Sequence, residues 1–290
     1  MSVPERSVPP ADARMDPADE ELERLEIELL LEAVYRRYGF DFREYAPASL
    51  KRRLWRRMYA EGLETVTQLH DRLLHDPASM ERLLLDLSIN VTSMFRDPSF
   101  YMAFREHVVP TLHTYPFTRV WCAGCSTGEE VYSLAILLKE EGLYDRARIY
   151  ATDINEQVLS AAREGVFPLE RMKQYTQNYI RAGGKGEFSE YYVAAYEGAR
   201  FSRSLTENVV FAQHNLASDR AFNEFNVIVC RNVLIYFDKT LQTRVHELFY
   251  ESLDTFGVLA LGHKESVAFT PYAEQYEVIQ AAERIYKKIG

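Results

Sequence analysis

The feature that most constrains the fold is the stretch of residues 118–133, where a short apolar run meets a glycine turn and then a segment of helical periodicity. Residues 120–123 are apolar and typical of a buried strand, and residues 124–128 are small. From Tyr132 onwards the apolar side chains predict one face of a helix. A strand, a glycine turn and a helix form the first unit of a doubly wound α/β domain. The ligands of such domains bind beyond the carboxyl ends of the strands.

Two acidic residues, Glu129 and Glu130, stand where this helix begins. Carboxylates are favourable at a helix N-terminus because of the helix dipole, but they would repel a phosphate bound there. The turn therefore favours a ligand with a cationic amino group. S-adenosylmethionine is such a ligand, since it carries an ammonium and a sulfonium and no phosphate. An ordinary strand-to-helix turn with a capping glutamate is the alternative interpretation.

Cys122 and Cys125 give the same stretch a second interpretation. A Cys-x-x-Cys between a strand and a helix is typical of thioredoxin-like redox proteins, and it could also be half of a zinc site. The sequence holds no second Cys-x-x-Cys or His pair to complete a zinc site, and Cys230 stands alone. We therefore expect no metal centre, and a thiol oxidoreductase stays open as an alternative.

Composition narrows the classes of function. The 290 residues carry a net charge of −9 and a pI near 5.4, which argues against a general nucleic-acid-binding protein. The three cysteines suit a reducing compartment. The sequence has no apolar run long enough to span a membrane and no signal-peptide core. It therefore predicts a cytoplasmic protein without membrane insertion.

Periodicity divides the chain into three parts and one insertion. Residues 1–19, rich in prolines and acids, predict a disordered tail. Residues 20–88 show helical periodicity and predict a small all-α domain. Residues 89–290 alternate strand and helix patterns, as expected for an α/β domain. Within them, residues 172–208 break the alternation and predict an inserted small antiparallel sheet.

A basic run in the all-α part opposes the overall negative charge. It consists of Lys51, Arg52, Arg53, Arg56 and Arg57. Such a run is either a solvated helix face or a docking surface for an acidic helix. Five basic residues on an acidic protein make a weak nucleic-acid footprint, so we expect no nucleic-acid partner.

Asp153 follows the second predicted strand and lies 25 residues after Gly128. A nucleotide-binding fold places the acid that binds the ribose hydroxyls at this point, roughly 20 residues after its glycine turn. A cap for the helix predicted at 156–164 is the alternative role. A polar set at the seam between the two domains could line the same cleft: Asn90, Thr92, Arg96 and Asp97.

Together these motifs resemble those of the CheR family of chemotaxis receptor methyltransferases, which are protein-glutamate O-methyltransferases. The resemblance extends from about residue 22 to residue 288. It rests on Asn-x-Thr-x-x-Phe-Arg-Asp at 90–97, on Ser-Thr-Gly-Glu-Glu at 126–130 and on Asp153. Cys-Arg-Asn-Val-Leu-Ile-Tyr-Phe-Asp at 230–238 is its most specific segment.

The resemblance implies a Rossmann-like domain that uses S-adenosylmethionine and releases S-adenosylhomocysteine. This domain would carry a small β-subdomain insertion and follow an all-α domain that docks on receptors. The methionine part of the cofactor would face Glu129, or its neighbour Glu130, and the ribose would face Asp153. The other implied cofactor-binding residues are Asn90, Thr92, Arg96, Ala123, Gly124, Asn215, Leu216, Arg231 and Asn232.

The implied reaction is the formation of methyl esters on glutamates of an acidic, helical receptor region, carried out by a monomer in the cytoplasm. A glutamate carboxylate is already ionised near neutral pH and needs no general base. Arg96 or Arg231 would orient this carboxylate by bidentate pairing. Tyr236 would place its hydroxyl near the methyl group or the carboxylate. The receptor would dock on the basic run at 51–57.

The sequence departs from the family pattern at Met94, Cys125 and Val131, which affects the shape of the pocket more than the reaction. Two alternatives from other classes stay open beside the methyltransferase. One is a regulatory protein that binds S-adenosylmethionine without turnover, and the other is a thiol oxidoreductase that uses Cys122 and Cys125. An RNA or small-molecule methyltransferase would share the fold, because fold does not determine function.

Overall fold

The computed structural model describes residues 17–87, 92–195, 198–268 and 270–289. Four helices form the all-α part: α1 (Pro17–Tyr38), α2 (Pro47–Ala60), α3 (Val66–His75) and α4 (Pro77–Leu87). Helix α1 begins slightly ahead of the expected residue 20, at a proline, which is favoured at the first helical position. One buried leucine from each helix contributes to a shared core: Leu30, Leu54, Leu69 and Leu83.

The α/β part begins with a connecting segment and continues as alternating strands and helices. The connecting segment comprises α5 (Pro98–Ala103), a π-helical stretch (Phe104–Val108) and α6 (Val109–Leu112). The first half of the sheet region comprises β1 (Thr118–Ala123), α7 (Glu129–Glu140), β2 (Ala147–Asp153) and α8 (Glu156–Glu164). The second half comprises β6 (Val209–Gln213), β7 (Phe225–Cys230), α10 (Lys239–Ser252), β8 (Leu253–Leu261), β9 (Tyr276–Gln280) and β10 (Ile285–Lys288).

The main sheet has seven strands in the order β6-β2-β1-β7-β8-β10-β9. The first five are parallel, whereas β10 is antiparallel to both β8 and β9. The chain winds outward from β1 in both directions, to β2 on one side and to β7 on the other. The carboxyl ends of β1, β2 and β7 therefore form the switch point where open α/β sheets bind ligands. The predicted Rossmann-like fold class is confirmed.

The predicted β-subdomain insertion is confirmed as a second, three-stranded antiparallel sheet. Its strands are β3 (Val166–Phe167), β4 (Tyr192–Ala195) and β5 (Gly198–Phe201), in the order β3-β5-β4. Strand β3 lies before residue 172, where the insertion was expected to begin, and a helix, α9 (Met172–Arg181), separates it from β4. Aromatic side chains bury the face of this sheet, with Phe167 and Phe201 packed edge to face.

The all-α part pairs through its backbone with the loop after β7. Ala46 N–H donates to the carbonyl of Tyr236 at 2.9 Å, and Asp238 N–H donates to the carbonyl of Glu44 at 2.9 Å. Tyr45 and Phe237 form the antiparallel bridge between these two bonds. None of the helices in the described ranges combines the length and apolar character that a bilayer-spanning segment needs.

Candidate functional site

A cleft of about 980 Å³, part of it open to solvent, lies beyond the carboxyl ends of β1, β2 and β7. Most of the site residues expected from the sequence line it: Thr92, Arg96, Gly124, Asp153, Asn215, Leu216, Arg231, Asn232 and Tyr236. Ala123 lies in the buried end of β1 and is not part of the lining. Asn90 lies outside the described residues.

The glycine turn after β1 passes very close to its neighbours, which explains its composition. Gly124 has a φ of +75°, and a Cβ at this position would lie 2.5 Å from a methyl group of Val233. Gly128 has a φ of +97°, and its Cβ would lie 2.9 Å from that of Ala162. A larger residue at either position would therefore be strained in its backbone and would push a wall of the cleft or helix α8 outward.

Asp153 lines the cleft at the tip of β2 and is only 9% exposed. Its two carboxylate oxygens accept hydrogen bonds from Ser126 N–H at 2.9 Å and Asn155 N–H at 3.1 Å. Burial raises the pKa of Asp153, while these backbone donors oppose the shift. Two carboxylate oxygens offer about four acceptor sites, so the carboxylate can still accept bonds from a vicinal diol.

Arg231 is a buried cation that bridges two acids beside the cleft. Its side chain is 1% exposed, and it donates to Glu130 at 3.0 Å and to Asp97 at 2.8 Å. Its guanidinium carbon lies 4.1 Å from the centre of the Phe100 ring. Burial alone would lower the pKa of Arg231, but Glu130 and Asp97 keep it above its ordinary value. Two carboxylates and one guanidinium leave the group with a net negative charge.

Glu129 and Glu130 point to different sides of helix α7. Glu130 lines the cleft, whereas Glu129 accepts hydrogen bonds from Thr127 Oγ1 at 2.6 Å and Tyr175 OH at 3.3 Å. Consecutive helical residues are separated by about 100°, so the two side chains cannot share one face. The carboxylate that the structure places at the cleft is therefore that of Glu130. Burial raises the pKa of Glu129.

Glu265 was not among the site residues expected from the sequence, although it holds a loop that lines the cleft. Its carboxylate accepts hydrogen bonds from the backbone N–H groups of Asn232 at 2.9 Å, Val233 at 2.8 Å, Leu234 at 2.8 Å and Gly262 at 2.6 Å. These bonds fix the loop after β7, in which Asn232 has a φ of +61°. The available signal was an acid four residues after strand β8, which predicts a place at the same sheet edge as the glycine turn but none of these hydrogen bonds.

The basic run of α2 does not form one exposed surface. Lys51, Arg52 and Arg56 are exposed, although Lys51 also donates to Glu23 at 2.6 Å. Arg57 is largely buried against Asp86 and Glu61. Arg53 is 5% exposed and faces the α/β part, which corrects the expectation that it belongs to a docking surface. A surface helix that packs against a neighbouring domain has to turn some of its positions inward, and Arg53 occupies one of them.

The three cysteines are free and buried, and burial raises the pKa of each thiol. Reactive redox thiols have a lowered pKa, so this environment disfavours the thiol oxidoreductase. The described part of the chain contains no group of His, Cys, Asp and Glu side chains suited to a metal ion.

The cleft fits S-adenosylmethionine on chemical grounds. Asp153 offers acceptors to the ribose diol, the group around Glu130 favours the cationic methionine end, and no part of the ligand needs a phosphate site. Asn215 and Leu216, which follow β6, also line the cleft. The Asn215 side chain accepts a hydrogen bond from Ala217 N–H at 3.0 Å. The residues present therefore suit both ends of this cofactor.

Comparisons with known proteins identify the family of this chain. A family model described as "CheR methyltransferase, SAM binding domain" matches residues 90–284, and one described as "CheR methyltransferase, all-alpha domain" matches residues 25–88. A Pseudomonas putida protein named "Putative methyltransferase Cher3" is 50% identical over 264 residues, which cover 91% of this chain and 97% of the relative. Chemotaxis protein methyltransferase 2 of Pseudomonas aeruginosa is 34% identical over 252 residues (84% and 87%). The chemotaxis protein methyltransferase of Salmonella typhimurium is 32% identical over 249 residues (82% and 82%).

Proposed function

Because this chain belongs to the CheR methyltransferase family, we propose that it methylates glutamate side chains of a chemotaxis-type receptor. The chain is an S-adenosylmethionine-dependent methyltransferase of the chemotaxis class. The product proposed here is a glutamate methyl ester on an acidic, helical region of the receptor. Since the proposed acceptor is a cytoplasmic receptor region, the proposed place of action is the cytoplasm, where the enzyme acts as a monomer.

The cofactor is proposed to lie along the sheet edge, with its ribose on Asp153 and its adenine beside Asn215 and Leu216. Its ammonium end would lie near Glu130, whose charge is only partly balanced by Arg231 at 3.0 Å. Bound in this way, S-adenosylmethionine supplies an electrophilic methyl group on a sulfonium. Thr92, Gly124 and Asn232 complete the proposed cofactor wall.

The chain's own contribution to the reaction is proposed to be positioning. The acceptor carboxylate is ionised at neutral pH, so no residue has to remove a proton before the attack. Holding two reactants in line can lower the activation barrier by about 7–11 kcal/mol in favourable cases. The main role proposed for the cleft is therefore to hold the cofactor and the acceptor carboxylate in line.

Arg96 is the arginine that we propose to orient the acceptor carboxylate. It lines the cleft with a partly exposed side chain, whereas the side chain of Arg231 is 1% exposed and lies against Glu130, Asp97 and the carbonyl of Arg96. Arg231 would then maintain the wall and its charge, and Arg96 would meet the substrate. Tyr236, half-buried in the same lining, would place its hydroxyl beside the reacting groups.

The receptor is proposed to dock on the exposed part of the basic run, which consists of Lys51, Arg52 and Arg56. These side chains lie on α2, the helix whose N-terminus adjoins the loop after β7. Charge complementarity with an acidic helix would mainly increase the rate of association and set its orientation. The helix that carries the proposed docking surface is therefore joined at its start to a loop that lines the cleft.

The observation that supports the proposal most is the position of Asp153 at the carboxyl end of β2, next to the acid-lined glycine turn. Incubation of the purified protein with methyl-labelled S-adenosylmethionine and a receptor cytoplasmic fragment tests it. The expected label on the receptor is released by mild alkali, as for an ester. Label that resists alkali would refute glutamate methylation. Cofactor binding without any label would favour the regulatory protein.

A further inference from the structure

The all-α part, which carries the proposed docking surface, also contributes to the wall of the cleft. Tyr45 and Leu87 line the cleft together with residues of the α/β part. Tyr45 also bridges to Phe237, directly beside Tyr236. The conformation of the loop that holds Tyr236 therefore depends on the residues of the all-α part that pack against this loop.

Arg53 is the residue of α2 that reaches this loop. Its guanidinium donates to the carbonyl of Leu87 and to Ser49 Oγ, the latter at 3.0 Å. The guanidinium carbon lies 4.6 Å from the centre of the Tyr236 ring. One side chain thus joins the start of α2, the end of α4 and the proposed catalytic tyrosine.

We propose that Arg53 is a positioning residue that holds the ring of Tyr236 in its catalytic orientation, so that the all-α part completes the active site. The inference rests on the proposed function, because it takes Tyr236 to be the residue beside the reacting groups. A guanidinium removed from water is attracted to the face of an aromatic ring. Its two directed hydrogen bonds fix the plane against which the ring packs, which the point charge of a lysine cannot reproduce.

The competing role for Arg53 is direct docking of the receptor. Its burial argues against that role, since only 5% of the residue is exposed and both of its terminal nitrogens donate hydrogen bonds within the protein. Arg52, its neighbour on the same helix, is exposed. The two roles differ in kinetics, because lost docking raises KM for the receptor, whereas lost positioning lowers kcat at saturating receptor.

The test measures kcat and KM for receptor methylation in Arg53→Gln, Tyr236→Phe and the double variant. Arg53→Gln is expected to lower kcat about tenfold, equivalent to about 1.4 kcal/mol, with KM for the receptor changed less than about twofold. In the Tyr236→Phe background, Arg53→Gln is expected to lower kcat further by less than about twofold, because the two residues act through one group. Arg24→Gln, on the exposed face of α1, is the matched control and should leave both constants unchanged.

A second measurement does not depend on turnover. Hydrogen exchange of the backbone amides at 234–238 is expected to be faster in Arg53→Gln than in the native protein, while thermal unfolding reports whether the variant is folded. If Arg53→Gln does not fold, Arg53→Lys replaces it; it is expected to lower kcat by a smaller factor with KM unchanged. Unchanged exchange, a change confined to KM, or additive losses in the double variant would overturn the positioning role. Absence of methylation by the native protein would instead refute the proposed function.

Discussion

Replacement of Glu265 by glutamine is expected to loosen the loop at 232–234, whose residues Asn232 and Val233 line the cleft. The carboxylate accepts four backbone N–H groups at 2.6–2.9 Å, from Gly262 and the three loop residues. A glutamine keeps one oxygen, and its NH₂ group would face two of these donors. Hydrogen bonds to a charged group contribute about 1.5–3 kcal/mol each, so the loss of two is expected to cost about 3–6 kcal/mol.

The cost falls on a residue that is 4% exposed, so solvent does not screen it. Urea unfolding should show a decrease in the free energy of unfolding of about 3 kcal/mol or more. Calorimetry should show weaker binding of S-adenosylhomocysteine, because Asn232 and Val233 line the cleft. Glu187→Gln, at an exposed glutamate, is the matched control. Unchanged stability and unchanged affinity in Glu265→Gln would refute the role of this carboxylate.

Three further predictions follow from the site. Asp153→Ala removes the proposed ribose acceptor and should weaken S-adenosylhomocysteine binding at least about tenfold in calorimetry; equal affinity would exclude the role. Arg52→Glu with Arg56→Glu should raise KM for the receptor and leave cofactor affinity unchanged; equal losses in both would exclude docking there. Burial raises the pKa of Glu129 above 4.5, so its contribution to stability falls as pH rises from 4.5 through the folded pKa. Glu129→Gln should lose that slope in urea unfolding, and parallel slopes would contradict it.

The sequence was sufficient to predict the parts of the site that depend on strand ends. Parallel strands bring their carboxyl ends to one edge, so the glycine turn after β1 and Asp153 at the end of β2 were expected to lie close together, whereas the place of Arg231 was implied by the family resemblance. Each of them follows a short apolar run that is recognisable without a structure. The first two of those runs were enough to predict the ligand-binding edge of the sheet.

The sequence could not predict which side of a helix each side chain faces, or which side chains are buried between the two domains. Glu129 and Glu130 are adjacent glutamates that the sequence alone does not distinguish. The packing of α7 against α9 decides which of them contacts Tyr175. Arg53 belongs to a charge run that is typical of a solvated face, but the docking of the all-α part buries it. Glu265 acts through backbone N–H groups more than 30 residues earlier in the chain, a contact that no local pattern reports.

The proposed function requires that the cleft at the switch point of the sheet holds the methyl donor. Titration calorimetry of the purified chain with S-adenosylhomocysteine tests it most directly, with Asp153→Ala as the comparison. We expect one binding site per chain in the native protein and a marked loss of affinity in the variant. Absence of measurable binding to the native protein, or equal binding by both proteins, would contradict it.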